Sequence, residues 1–227
     1  TSGDTGKAAL EGFRDVARTR ILVFYPSEGV SEVQRAQMVT QDGNNVGVVA
    51  VEGNFDDAQT GVKKIFSSVQ MREVLAKKNL KLSSANSINW GRLAPQIAYY
   101  FSAYRSLCET GKLHCGDPVN FVVPTGNFGN ILAGYYAKQM GLPIHRLICA
   151  SNDNNVLTDF LRTGVYDRNR PFHQTISPSM DILISSNLER LLYHATDGDT
   201  GKVGSWMGQL NATGRYAIDA QTLAKIQ

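Results

Sequence analysis

Metal-binding patterns are nearly absent from this chain. Its three cysteines, Cys108, Cys115 and Cys149, are an odd number and form no CxxC pair. Cys115 follows His114, yet no second His/Cys pair stands at ligand spacing. No metal site is expected, and the thiols read as structural in a reducing, cytoplasmic setting. Charge of one sign is also scarce: 23 Lys and Arg stand against 20 Asp and Glu, a formal net of +3. So small an excess calls for neither nucleic acid nor an anionic membrane. No apolar run approaches the ~18–20 residues that cross a bilayer. Both nucleotide fingerprints are missing, G-x-G-x-x-G and G-x-x-x-x-G-K, so a generic nucleotide-binding module does not fit. The chain opens without methionine or signal peptide on Thr1-Ser-Gly-Asp-Thr-Gly6, a dense loop motif with no strand before it. It is expected to be an internal piece of a longer protein, lacking both ends.

What is present describes an ordinary globular protein. The 227 residues are 42% hydrophobic and 19% charged, enough for one large domain or two small ones. Helical and strand patterns alternate. Lys7 to Arg18 reads as a helix, Ile21 to Tyr25 as a buried strand, and Ser31 starts a second helix through Gln34 and Met38. Val46 to Val51 is a second strand and Phe55 to Val69 a third helix. A polar stretch, Leu82 to Gly91, leads to a long helix from Arg92 to Cys108, with Pro95 expected in its first turn. Val119 to Val123 and Arg146 to Ala150 are further strands, with a helix from Asn130 to Met140 between them. Beyond Gly164 the pattern weakens; Leu188 to His194 reads as helical and the end of the chain shows no clear strand. The expected fold is α/β: two open parallel-sheet segments, 1–81 and 82–227, parting near Leu82. One near-repeat, Thr196 to Lys202 against Thr1 to Lys7, reads as a surface turn in its second copy.

Three loops can carry chemistry. In Val122-Val-Pro-Thr-Gly-Asn-Phe-Gly-Asn130 a buried strand ends at Pro124 and a helix starts near Asn130. Glycine lets backbone approach a ligand, and the free N–H groups and dipole of the helix favour an anion. The spacing suits a single phosphate monoester; a tight strand–helix turn without a ligand is the alternative. Ser2-Gly-Asp-Thr-Gly6 offers hydroxyls, amides and a carboxylate at a helix start, or simply an N-cap by Ser2 or Thr5. It is too short for a P-loop, and Ala8 stands where a magnesium-binding hydroxyl would be. Ser87-Ile-Asn-Trp-Gly-Arg92 places Ser87 and Arg92 where they can face an anion, Arg being suited to a dianionic phosphate. The alternative there is a capped helix start with a solvated arginine.

Taken in order, these loops resemble threonine synthase, a pyridoxal-phosphate enzyme of the tryptophan-synthase-β fold type, also called fold type II. The matching stretches are Thr1 to Gly6, Ser84-Ala-Asn-Ser-Ile-Asn89 with Arg92, and Pro124 to Asn130. Ser177-Pro-Ser-Met-Asp-Ile182 and Ser186-Asn-Leu-Glu-Arg190 also match. The resemblance implies that 1–81 is a partial, substrate-side domain and 82–227 a partial cofactor domain. It implies that Gly126, Asn127, Phe128, Gly129 and Asn130 cradle the phosphate of pyridoxal 5'-phosphate. Ser2, Asp4 and Thr5 would lie over the cofactor and hold the substrate's amino-acid end. Ser87, Asn89 and Arg92 would meet the substrate phosphate, with Thr5 assisting. The implied substrate is O-phosphohomoserine, converted with water to threonine and phosphate by a monomer or homodimer.

The family's aldimine lysine precedes the Ser-Gly-Asp-Thr-Gly loop, so it is expected upstream of Thr1, and the hydroxyl residue at the pyridine nitrogen is expected beyond Gln227. Lys63-Lys64 and Lys77-Lys78 read as solvated helix charges. No catalytic residue is therefore expected within these residues, and the polypeptide alone is expected to be inactive. Two other readings stay open: a serine/threonine dehydratase or cysteine-synthase-like lyase, which has no use for Arg92, and a non-catalytic threonine-synthase-like binding protein.

Overall fold

The computed structural model describes residues 3–27, 30–53 and 55–227, with the side chains of Phe55, Asp56 and Gln59 left out. The chain forms two compact units, 1–86 and 87–227.

In the first unit the order is α1 (Gly3–Phe13), β1 (Ile21–Pro26), α2 (Glu32–Val39), β2 (Val46–Val51), α3 (Phe55–Ser67) and α4 (Val69–Lys77). Strands β1 and β2, built from β-branched and aromatic residues, pair in parallel from Ile21↔Val46 to Pro26↔Val51. The connecting α2 opens with a capping box: Ser31 Oγ accepts the Gln34 N–H, and Gln34 Oε1 accepts the Ser31 N–H, each at 3.2 Å. Leu10, Val23, Tyr25 and Met38 close a small apolar core. Three expectations need correction here. Gly3 to Gly6 is the first turn of α1, not a loop. That helix ends at Phe13 rather than Arg18, because Asp15 and Arg18 take left-handed φ of 54° and 63°. Asp15 Oδ1 instead accepts the Asn44 N–H at 2.9 Å. The expected third helix stops at Ser67, and Ser68 caps a separate α4 by accepting the Met71 N–H at 3.2 Å.

The second unit begins with α5 (Trp90–Glu109), β3 (Val119–Pro124), α6 (Gly129–Gln139) and β4 (Ile144–Ala150). Strands β3 and β4 pair in parallel from Val119↔Ile144 to Pro124↔Ala150. Because α5 starts at Trp90, Pro95 lies past the first turn, where its missing N–H leaves the Gly91 carbonyl without a helical donor. Helices α5 and α6 meet at Gly134, where a Cβ would stand 2.7 Å from Tyr100 Cε1. The Tyr100 hydroxyl donates to the Asn130 carbonyl at 2.7 Å, tying α5 to the start of α6.

The rest is α7 (Val156–Thr163), β5 (Val165–Asp167), a 3-10 turn (Pro178–Met180), α8 (Leu188–Ala195), α9 (Thr200–Thr213), β6 (Arg215–Ala217) and α10 (Ala220–Ile226). The end of the chain does contain a strand, contrary to expectation: β6 pairs antiparallel with β5, Tyr166 opposite Tyr216. The two rings stack at 5.3 Å with 7° between planes, and Phe160 packs against both. The second near-repeat is a turn as far as Gly198; Asp199 then caps α9 by accepting the Lys202 N–H at 2.9 Å.

This aromatic cluster has a pH consequence. Burial pushes the Tyr166 phenol up to about 12 and raises that of Tyr216 further. Tyr100 is likewise pushed up to about 12. The folded chain holds these phenols neutral while the unfolded chain ionises them near pH ~10. Their contribution is thus complete below that pH and is lost as pH rises through the folded values. Thermal unfolding followed at increasing pH is expected to show a steep fall in melting temperature above pH ~10, coincident with tyrosinate absorbance. Phe160→Leu, which opens the cluster, is expected to bring the fall to lower pH.

Candidate functional site

The loop between β3 and α6 has its carbonyls tied inward. Ser185 Oγ donates to the Gly126 carbonyl at 2.7 Å. The Asn127 carbonyl accepts from the Asn187 backbone N–H at 3.1 Å and from Asn187 Nδ2 at 2.9 Å. Asn130 Nδ2 reaches back to the Pro124 carbonyl at 2.7 Å and closes the turn. In a planar trans peptide the N–H points opposite the carbonyl. With the carbonyls of Gly126 and Asn127 held inward, the N–H groups of Asn127 and Phe128 face the other way. None of the N–H groups from Gly126 to Asn130 has an acceptor among the described residues. Phe128 takes a left-handed φ of 66° and carries no side-chain cap, so the N-terminus of α6 is left open. A row of unfilled amides at a helix N-terminus is an anion cradle.

The glycines let the loop pack closely against its neighbours. A Cβ on Gly126 would stand 2.9 Å from Ile182 Cδ1, and one on Gly129 would stand 3.1 Å from Ser87 Cβ. Close approach of the 179–182 segment on one side and of Ser87 on the other thus fixes the loop between two walls.

Asn187 joins these parts. Its side chain is fully buried. Besides Asn127, its Nδ2 donates to Ser87 Oγ at 3.1 Å. Arg190 Nη1 donates to its Oδ1 at 2.8 Å, while Nη2 donates to the Ile88 carbonyl at 2.6 Å. Ser185 is held in turn by Tyr166, whose hydroxyl accepts the Ser185 N–H at 2.8 Å and donates to the Leu183 carbonyl at 2.9 Å. Farther back, the buried Asp181 carboxylate clasps the loop after β4. It accepts from Asn152 Nδ2 at 2.7 Å, Asn154 Nδ2 at 3.1 Å, Thr175 Oγ1 at 2.7 Å and the Thr175 N–H at 2.8 Å.

Of the residues expected to face a second anion, Ser87 lies against the cradle through Gly129 and Asn187. Asn89 is the N-cap of α5, its Oδ1 accepting the Gly91 N–H at 3.0 Å. Arg92 sits half-buried in the first turn of α5, and burial lowers its guanidinium from the ordinary value without discharging it. In the first unit, Ser2 lies outside the described residues. Asp4 Oδ1 accepts from Gln34 Nε2 at 2.9 Å, and Thr5 is half-buried in α1. Lys63, Lys64, Lys77 and Lys78 are exposed, as expected of solvated helix charges. Among the described residues no group of His, Cys, Asp or Glu could hold a metal ion, and no helix is long and apolar enough to cross a membrane.

Sequence reading missed Tyr166 and Ser185, and gave no role to Asp181, Asn187 and Arg190, although these lie in the matching stretches Ser177 to Ile182 and Ser186 to Arg190. The Asn-x-x-Arg spacing, which sets Asn187 and Arg190 one helical turn apart, was a further signal.

No family model matches the chain. It is 47% identical over 234 residues to the threonine synthase-like 1 protein of Homo sapiens, covering all of this chain and 32% of that protein. It is 43% identical over 238 residues to the threonine synthase of Eremothecium gossypii, covering all of this chain and 44% of that enzyme. The solved structure of PLP-bound threonine synthase from Brucella melitensis superposes with a TM-score of 0.86 at 46% identity, covering 100% of this chain and 46% of that one. The chain thus spans 32–46% of the length of these relatives.

Proposed function

Since the chain is homologous to threonine synthases along its whole length, we propose that it serves a pyridoxal-phosphate lyase converting O-phosphohomoserine and water to threonine and phosphate. The observation that carries this reading is the row of amides from Gly126 to Asn130, open outward while their neighbouring carbonyls are tied back. They fit the phosphate of pyridoxal 5'-phosphate: a dianion meets several N–H donors and the positive end of α6, and no carbonyl oxygen opposes it. When bound, that cofactor supplies an electron sink for charge that develops on the substrate carbons.

The chain's own residues then divide the work. Gly126 and Gly129 give the backbone its close path, and Ser185 and Asn187 aim the amides. Arg92 and Ser87 receive the substrate phosphate, and Arg92 stabilises the charge that grows on it as it leaves. Asn89 uses its carboxamide oxygen as the α5 cap, which fixes the turn from which Arg92 projects. A serine/threonine dehydratase or cysteine synthase takes a substrate with no phosphate for Arg92 to meet.

The test is phosphate release from O-phosphohomoserine, compared with turnover of free serine, by the protein that contains this chain. Arg92→Ala is expected to raise KM for O-phosphohomoserine by about 10- to 100-fold, the loss of a charge-assisted contact, and to spare cofactor affinity. An unchanged KM removes Arg92 from the substrate site. A non-catalytic binding role is the second reading, favoured by the likeness to a protein named threonine synthase-like 1. Binding of both phosphates without any release would establish it.

A further inference from the structure

Arg190 orders both anion loops from one remove. A carboxamide whose oxygen faces a guanidinium has a single orientation, because its nitrogen must face the other way. Asn187 is in that position: Oδ1 takes the Arg190 Nη1 hydrogen, and the closest acceptors of its two Nδ2 hydrogens are Asn127 O and Ser87 Oγ. Ser87 Oγ, accepting from Asn187, must direct its own hydrogen elsewhere. The same guanidinium holds the Ile88 carbonyl through Nη2, which turns the Asn89 N–H to the opposite side of that peptide. Every bond in the series therefore runs outward from one fixed positive charge. Bonds in such a series polarise one another, and the burial of Asn187 keeps water from competing.

We propose that Arg190 and Asn187 are positioning residues that turn the cradle amides outward as donors to an anion and hold Ser87 Oγ as an acceptor beside them. The inference rests on the phosphate-binding reading given above and adds its directional control: which way each group points is set by a cation one remove from the cradle.

Calorimetric titration of the protein that contains this chain with pyridoxal 5'-phosphate tests it. Asn187→Asp keeps shape but turns a donor into an acceptor toward Asn127 and Ser87. It is expected to weaken binding by about 10- to 100-fold, and more than Asn187→Ala does. Arg190→Ala is expected to weaken it comparably, and Arg190→Lys, which keeps the charge and one donor, to recover part of the loss. A merely structural role predicts that Asn187→Asp is no worse than Asn187→Ala and that lysine gives no recovery. Either result, or wild-type affinity in Arg190→Ala, overturns the relay. Should the wild-type protein that contains this chain not bind the cofactor, the functional reading falls by itself. The relay is then judged by hydrogen exchange at the Asn187 side-chain amide, which Arg190→Ala accelerates at least about tenfold if the relay exists and leaves unchanged if it does not.

Discussion

Gly129→Asp is expected to weaken pyridoxal 5'-phosphate binding by at least about 100-fold, while Gly129→Ala costs less than about tenfold. The two substitutions place the same Cβ, 3.1 Å from Ser87 Cβ and 3.4 Å from Asn187 Nδ2. That contact is tight but needs only a few tenths of an ångström of adjustment, so alanine reports the steric cost alone. Aspartate adds a carboxylate beside the cradle. Two unit charges about 4 Å apart repel by about 4 kcal/mol at the effective dielectric of a protein surface, and each ~1.4 kcal/mol is a factor of ten. The carboxylate also offers Asn187 Nδ2 a charged acceptor and draws it from the Asn127 carbonyl. Calorimetric titration of both variants checks this. Equal losses for alanine and aspartate would mean that the cradle holds no anion.

The parallel strands were legible because they are continuous apolar runs closed by turn residues, Ile21 to Tyr25 and Val119 to Val123 among them. The cradle was legible because Gly126 and Gly129 stand between such a strand and a helix. The antiparallel ribbon of β5 and β6 was not. Each strand has three residues, too few for alternation to show, and they lie about fifty positions apart in the chain. What holds them is the stack of Tyr166 on Tyr216, a contact that no local pattern reveals. The first turn of α1 was misread for the opposite reason. Two glycines in four residues argue for a loop by propensity, at about 1 kcal/mol each. The structure overrides that with the fully buried Leu10 and with Asp4 at the helix N-terminus, where a negative charge is favoured.

The supports of the cradle were hidden for another reason. Asn187 and Arg190 have meaning only through partners distant in sequence, Ser87, Ile88 and Asn127. Composition and period report which residues are buried, and a buried asparagine is unusual enough to invite a question. They do not report which carbonyls it holds. The sequence therefore showed where an anion could bind but not what aims the donors.

Asp181→Ala is expected to destabilise the second unit by about 3–5 kcal/mol, the largest stability loss from a single polar group here. The carboxylate is 8% exposed and accepts four hydrogen bonds, three on Oδ1 and one on Oδ2. Removing it leaves the Thr175 N–H without its acceptor and takes a charged acceptor from Asn152, Asn154 and Thr175 Oγ1, which keep only weaker neutral partners at Ser177 and the His173 carbonyl. Asp181→Asn separates charge from shape. Its oxygen can serve the three donors on one side, but its NH2 then faces the Thr175 N–H, so it is expected to cost about 1–3 kcal/mol. Urea unfolding at neutral pH, followed by aromatic fluorescence, measures both. The loss should also reach the cradle, because the segment that Asp181 anchors packs on Gly126, where a Cβ would press on Ile182 Cδ1 at 2.9 Å and the Ser179 carbonyl at 3.3 Å. Cofactor affinity in Asp181→Asn should therefore fall at temperatures well below its unfolding. A variant that loses less than about 1 kcal/mol on removal of the carboxylate would show that the clasp is redundant, and that the walls around Gly126 are held by Tyr166 and Ser185 alone.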